Sequence, residues 1–272
     1  MADGAVRQPG TGVRPLWATT AALHISAVGL AAVHPHLWPV SLGSVLANHA
    51  VLTAAGLCPR SSLLGSNWTR LPQASAARAE IALSIDDGPD PEVTPRVLDL
   101  LAAHGAVATF FCIGERVAQH AALAREIVRR GHSIENHTQH HRHHFSLLGP
   151  RRIAAEVGRA QETIAAVTGM EPRFFRAPAG LRNAMLDPIL RRLRLQLASW
   201  TRRGFDTVNG NPAAVLRKLT RKLCAGDILL LHDGHSARTA QGAPVIEVVL
   251  PQLLRAFDAA GLKTVNLRAT LN

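Results

Sequence analysis

Two kinds of patterning divide the chain. From Pro15 to Pro59 the sequence holds no Asp, Glu, Lys or Arg, and its apolar residues form two arms, Leu16–Val33 and Val40–Leu57, around a His-Pro-His-Leu-Trp-Pro connector. From Glu80 onward, short β-branched or apolar runs alternate with stretches of helical period. The runs predict strands over Ile81–Ile85, Ala108–Ile113, Ser133–Asn136, Arg173–Arg176, Leu195–Trp200, Ile228–His232 and Thr264–Leu267. Helices are predicted between them, near Thr94–His104, Arg116–Arg130, Arg151–Thr168, Ala184–Arg194, Ala213–Cys224 and Pro244–Ala260. Pro95 falls in a first helical turn, where its missing N–H is tolerated. Gly105, Gly131, Gly169 and Gly261 each follow a helical pattern and read as stops. Such alternation is the pattern of a parallel α/β sheet or barrel. In parallel α/β barrels the C-terminal strand ends converge on one face. The polar clusters fall at those ends: Asp86-Asp87, His137 to His141, Arg176, Asp206 and His232-Asp233.

Each N-terminal arm is near the lower limit of the roughly 17 to 25 apolar residues that cross a bilayer. Polar His24, Asn48 and His49 interrupt them, so two arrangements stand: a helical hairpin in the membrane, or a pair of soluble helices packed on the α/β domain. A signal peptide fits poorly, because the apolar block is doubled and no small-residue cleavage site follows a single short core. Arg7 and Arg14 precede the first arm, Arg60 and Arg70 follow the second, and the connector has none. For a membrane hairpin this bias keeps both flanks, and the region after them, on the cytoplasmic side. From Pro59 to Ala79, Ser, Gly, Asn, Pro and Ala occur without a clear period, as in a linker. The expected organisation is therefore a membrane-associated hairpin over 1–58, a linker over 59–79 and an α/β domain over 80–272.

Composition narrows the partners. The chain has 272 residues, 47% of them hydrophobic, which is ample for a core. Its formal charge of +11 is spread along the chain, mostly as arginine, without a dense basic tract or a nucleic-acid module. A membrane surface or a substrate phosphate is the expected counterpart, and nucleic acid is not. Cys58, Cys112 and Cys224 lie far apart and contain no CxxC pair, so neither a disulfide framework nor a zinc-thiolate site is indicated. Tyrosine is absent and aromatics make up 4%, which removes aromatic stacking as a main recognition device.

Chemistry concentrates in two stretches. Ile81-Ala-Leu-Ser-Ile-Asp-Asp-Gly-Pro-Asp-Pro91 runs an apolar strand into two adjacent carboxylates. Such a pair is an ordinary acidic turn unless a cation lies beside it, because burying two like charges together is costly. Gly131 to His144 holds six of the fourteen histidines. His137 and His141 stand four apart, which would put both imidazoles on one face of a helical turn and suits a shared metal. A His-rich surface loop is the bland alternative. Set beside Asp86-Asp87 at a neighbouring strand end, the cluster points to a divalent metal site with positions open for water and substrate.

Five segments, Ser84-Ile-Asp-Asp-Gly-Pro, His137-Thr-Gln-His-His141, Arg176-Ala-Pro-Ala-Gly180, Trp200 to Asp206 and Leu230-Leu-His232, resemble in order the motifs of the polysaccharide deacetylase family with the NodB homology domain, carbohydrate esterase family 4. The resemblance spans roughly Glu80 to Leu267. It implies a distorted (β/α)7 barrel, here preceded by the hydrophobic hairpin, and a metal-dependent carbohydrate N-deacetylase. It further implies Asp87, His137 and His141 as metal ligands, Asp86 as general base and His232 as general acid. Arg176 would hold the base, and Asp206 would support His232 or Arg176. In that chemistry a divalent ion polarises the amide carbonyl and activates water. A backbone N–H near Ala179 would hold the oxyanion. Asp86 must then stay free of strong ligation to accept a proton. Zinc, cobalt, nickel and iron all suit such a ligand set.

The sequence also departs from the family pattern: Ile85 stands where Phe is usual, Ala179 where an aromatic is common, and Thr207 where Trp often follows the acid. The last two thin the wall that flanks a sugar ring. His132, His140, His143 and His144 read as solvated or supporting residues, and Trp200 reads as core. Arg202 and Arg203 read as a solvated charged face, or as a phosphate site if the substrate carries one. The expected substrate is an N-acetylated amino sugar in a polysaccharide, oligosaccharide or lipid-linked glycan at a membrane. Rival expectations are a deformylase of a lipid-linked amino sugar, a catalytically silent membrane-bound glycan-binding protein, and a metal store built on the His-rich segment.

Overall fold

A computed structural model describes residues 13–271; Arg7, one of the arginines behind the expected orientation, and Asn272 lie outside them. Helices α1 (Val13–Val33) and α2 (Trp38–Leu57) form a hairpin across a 3-10 turn at Pro35–Leu37. Both are long and apolar enough to cross a membrane. Ile25, Val28, Trp38, Val40, Leu46 and Val51 project outward, exposed, an apolar surface of the kind that a membrane or a protein partner covers.

The segment read as a linker is folded onto the barrel. Leu64 and Leu71 are buried, Trp68 bridges to Ala198, and the Leu71 N–H donates to the Gly226 carbonyl at 2.8 Å. A short helix, α3 (Gln73–Ala77), precedes the first strand. These contacts are made by single apolar residues with no repeat, which is why no period announced them.

The barrel elements follow in order: β1 (Glu80–Asp86), α4 (Val93–Ala103), β2 (Thr109–Cys112), α5 (Gly114–Gln119), α6 (Ala121–Arg129), β3 (Ser133–Asn136), α7 (Pro150–Thr168), β4 (Phe174–Phe175), α8 (Leu186–Arg192), β5 (Gln196–Leu197), β6 (Arg202–Arg203), α9 (Pro212–Thr220), β7 (Ile228–His232), α10 (Val245–Ala259) and β8 (Lys263–Val265). The named strands pair in parallel in the order β5-β4-β3-β2-β1-β7-β6, and β8 joins the N-terminal end of β1. This is the curled parallel half-barrel expected. All seven predicted strands are present, and β6, two arginines with no apolar signal, is an eighth. The single helix predicted over Arg116–Arg130 breaks at His120, whose backbone leaves the helical region. Helix α7 starts on Pro150 and ends on Gly169 at φ 74°, the left-handed cap that glycine accepts without strain.

Period two sorts the side chains of these strands. Ile81, Leu83 and Ile85 of β1 and Leu229 and Leu231 of β7 pack outward against Val97, Leu98 and Leu101 of α4 and Val249 and Leu253 of α10. Ala82, Phe111, Phe174, Ala198 and Ile228 fill the barrel floor. The inward positions above that floor carry the chemistry.

His132, expected to be solvated or supporting, is buried: its Nδ1 accepts from the Ala108 N–H at 3.1 Å while the ring packs edge-on to Phe110. Burial, with the charge of Arg130, pushes this imidazole down to about 4. A folded-state pKa below the ordinary 6.5 means that the neutral ring stabilises the fold fully above that pH, and the contribution is lost as pH falls towards 4. Between pH 6.5 and 4 the wild type should lose up to about 3 kcal/mol more than His132→Asn, which keeps an acceptor and cannot titrate. Denaturant melts across that range measure the difference, and parallel curves would contradict it.

Candidate active site

Asp86 and His232 are register partners at the top of β1 and β7, so their side chains emerge on the same inner face. Arg176 follows β4 and is about 1% exposed. Its Nη1 donates to Asp86 Oδ1 at 2.6 Å and to Ser84 Oγ at 2.8 Å, Nη2 donates to the Ser199 carbonyl at 2.7 Å, and the guanidinium lies 4.0 Å over the Phe111 ring. Burial pushes the guanidinium pKa down and the Asp86 carboxylate opposes that fall. Asp86 is thereby fixed at one oxygen. Its other oxygen, Oδ2, lies 3.9 Å from His137 Nε2.

Asp87 turns the chain with φ 74°, a conformation non-glycine residues seldom take. That twist separates its carboxylate from its neighbour's. Asp87 Oδ1 lies 3.3 Å from His137 Nε2 and 3.2 Å from His141 Nε2. His137 Nδ1 is 2.8 Å from the Arg176 carbonyl, which can only accept, so Nδ1 carries the proton and Nε2 presents a lone pair. Burial and the adjacent His137 push His141 down to about 4, leaving it neutral. Burial opposes ionisation of Asp87, yet the imidazoles of His137 and His235 hold its carboxyl well below the usual range. Asp87 Oδ1 is buried with no hydrogen-bond partner. A buried carboxylate oxygen facing two imidazole nitrogens is a donor set that fits a divalent cation, and the three candidate ligand atoms lie within 4.8 Å of one another.

The helical turn expected to join the two histidines is absent. Residues 137–141 form a loop in which Asn136 Oδ1 accepts from the Thr138 N–H and Thr138 Oγ1 accepts from the His141 N–H, with Thr138 and His141 both at positive φ. The imidazoles converge all the same, with ring centroids 4.8 Å apart. His140 instead faces Glu156 at 2.8 Å.

Asp206 resolves to one of its two expected partners. It accepts from His232 at both Nδ1 (2.9 Å) and the backbone N–H (2.7 Å). Burial lowers the His232 pKa, but Asp206 outweighs it and the imidazole ends above its ordinary value. With Nδ1 so engaged, Nε2 faces the open side. Asp233 points elsewhere: it accepts from Thr94 Oγ1 at 2.5 Å, and burial pushes its carboxyl up to about 7.

These groups line one cavity of about 290 Å³, together with His143, Ala179, Gly180, Trp200, Arg203, Thr207, Leu230 and His235. Asp206 and Arg176 stand behind it and hold its lining residues. The departures at Ala179 and Thr207 lie on the wall, whereas Ile85 faces the outer core and leaves the site untouched. Sequence reasoning missed His235, whose Nδ1 lies 3.3 Å from Asp87 Oδ2. Its place just beyond His232, in a His-Asp-Gly-His run after a strand, was an available signal.

A parallel α/β half-barrel with a carboxylate-imidazole cluster at its C-terminal strand ends has the layout of a hydrolytic metal centre. The polysaccharide deacetylase profile matches residues 73–198. A peptidoglycan-N-acetylglucosamine deacetylase of Bacillus cereus is 34% identical over 175 residues, covering 64% of this chain and 81% of that protein. A family 4 carbohydrate esterase from Streptomyces lividans, solved in complex with acetate, superposes with a TM-score of 0.62 at 29% identity, over 68% of this chain and 91% of that one. A family 4 pseudoenzyme from Bacillus anthracis shares the fold with a TM-score of 0.67 at 23% identity, over 76% and 69% of the respective chains. The chain belongs to the polysaccharide deacetylase family.

Asp87→Ala and His137→Ala should each weaken divalent-metal binding at least about tenfold, each removing one of the three candidate ligand atoms. His140→Ala should not, since that ring is turned to Glu156. Metal content after gel filtration measures this. Several metals per chain, indifferent to Asp87, would favour a metal store instead.

Proposed function

We propose that the chain is a metal-dependent N-deacetylase of an acetylated amino sugar presented at a membrane. One observation carries the catalytic reading. Of two adjacent buried carboxylates, Asp86 is restrained by Arg176 and Asp87 turns an unpartnered oxygen towards two imidazoles. The pair is divided between proton transfer and ligation. A divalent ion on Asp87, His137 and His141 supplies carbonyl polarisation and water activation when bound. Asp86 takes the proton of the attacking water, and Arg176 keeps it aimed. The backbone N–H at Ala179, on the cavity wall, is the oxyanion donor. His232 gives a proton from Nε2 to the departing amine as the amide C–N bond breaks, and Asp206 steadies the imidazolium. No member of this set is missing, which counts against a silent binding protein.

The membrane reading rests on the hairpin and on where it leads. In the last turn of α2 the Gly56 carbonyl accepts from the Arg182 N–H at 3.1 Å, and just after the helix the Pro59 carbonyl accepts from Ser199 Oγ at 2.7 Å. Gly180 lines the cavity so close to Pro59 and Trp200 that an added Cβ would meet each at 2.6 Å. The chain leaving the apolar hairpin is thus the backing of one cavity wall. This supports residues 1–58 as an anchor, 59–79 as a brace between anchor and barrel, 80–272 as the catalytic domain, and a lipid-linked amino sugar as substrate.

Metal-loaded protein incubated with N-acetylated glycolipids, their N-formyl counterparts and soluble chitooligosaccharides should release acetate, fastest from the glycolipids. Formate as the preferred product would make it a deformylase. Release from soluble oligomers alone would remove the lipid-linked substrate and leave the chemistry, and no release from any of them would overturn the reading.

The arginine bias around the hairpin supports a catalytic domain on the cytoplasmic side. An alkaline phosphatase fused after Asn272, a reporter active only outside the cytoplasm, should therefore be silent. Full reporter activity would reverse the orientation.

A further inference from the structure

We infer that Arg203 is an anion-recognition residue of this cavity, taking a phosphate or carboxylate carried by the acylated amino sugar or by the unit next to it; this rests on the proposed function. Strand β6 sorts its two arginines by register. Arg202 pairs with Leu229, an outward residue, and Arg203 with Leu230, which lines the cavity. Arg202 accordingly points away: its Nε donates to Asp227 Oδ2 at 2.5 Å, and its two terminal nitrogens donate to the Arg221 and Lys222 carbonyls. It is a structural tie, and only one of the two arginines read together from the sequence is available to a ligand.

Arg203 has the opposite surroundings. Its guanidinium lies 5.3 Å from the Trp200 ring centroid and 5.1 Å from that of Phe205. Its Nε is buried without a hydrogen-bond partner. The acids around the cavity are turned to other groups: Asp86 to Arg176, Asp206 to His232, and Asp87 to His235 and the cluster of His137 and His141. A buried donor left unmade is costly, more so on a charged group. Aromatic faces hold a guanidinium in place without supplying an acceptor. One donor of the fork is therefore buried and unsatisfied, the guanidinium is oriented by two rings at the cavity lining, and its planar donors match phosphate and carboxylate oxygens. Lys218, 4.7 Å from the Phe205 ring centroid, adds positive charge behind it. Thr207, small where an aromatic is usual, lines the same wall and narrows the cavity less than an indole would.

Two measurements on the full chain test this. The first needs no catalysis: inorganic phosphate is titrated calorimetrically, after chelator treatment to strip metal, into Asp87→Ala and into Asp87→Ala/Arg203→Gln. Binding should weaken at least about tenfold in the second, the worth of a charged hydrogen bond; equal affinity, or no binding in either, overturns the inference. The second compares hydrolysis of N-acetylglucosamine 1-phosphate, a disaccharide bearing the carboxylate of N-acetylmuramic acid, and neutral diacetylchitobiose. Arg203→Gln should lower the anionic-to-neutral ratio of kcat/KM at least about tenfold, mainly through KM, with Arg203→Lys restoring part of it. Whichever anionic arm shows the loss identifies phosphate or carboxylate, and an unchanged ratio in both refutes the assignment. If wild type hydrolyses none of the three, the deacetylase reading fails while the calorimetry still decides the anion site.

Discussion

The ion pair between Arg176 and Asp86 is the constraint on which the site depends. Both partners are buried, and breaking such a pair by removing one partner typically costs about 3–5 kcal/mol because an uncompensated charge remains. The guanidinium does more than neutralise. Its remaining donors reach Ser84 and the Ala198 and Ser199 carbonyls, so one side chain ties β1 to the end of β5 across the barrel. Ser84 itself donates to the Leu229 carbonyl at 2.7 Å, which brings β7 into the same network. The strand that carries Asp86 and the strand that carries His232 are thus held in fixed relation by the group that orients Asp86.

This anchoring explains how adjacent carboxylates come to differ. Asp86 is the last residue of β1 and takes its direction from the pleat, pointing inward above Ala82 and Ser84. Asp87 lies beyond the strand, where φ 74° swings its carboxylate to the imidazoles. Strained backbone recurs at His141, Ala179 and His235, all lining the same cavity. Residues kept in sparsely populated conformations persist when the surrounding structure over-determines them, and such positions gather where function is located.

Much of the fold and the site was legible because one period generated both. Alternation along Ile81–Asp86 and Ile228–His232 marks which residues face the helices and which face the interior, and the last inward residue of each strand is a site residue. What stayed hidden lacked a repeat. Arg202-Arg203 is too short and too polar to announce a strand, so the split roles of the two arginines could not be read. His132 belongs to a His-rich tract that looks solvated, yet it sits one residue before β3 and faces Ala108. The spacing of His137 and His141 predicted a shared site for the wrong local reason: side-chain turns at Asn136 and Thr138 bring the rings together without a helix. Residues 59–79 pack through isolated apolar contacts that no window would detect.

The departures from the family pattern acquire a common direction when the cavity wall is considered as a surface. Ala179 and Thr207 withdraw bulk from it, and Arg203 adds a cation to it. An aromatic side chain at either position would present an apolar face to a ligand, whereas this lining offers less stacking area and an oriented guanidinium. Less stacking weakens the hold on a long neutral strand, and an unpaired guanidinium strengthens the hold on a short ligand that brings its own negative charge. The same wall is backed by Pro59, at the end of the apolar hairpin. The proposed anion site and the end of the apolar hairpin thus both adjoin this cavity, through Arg203 among its lining residues and through Pro59 packed against Gly180.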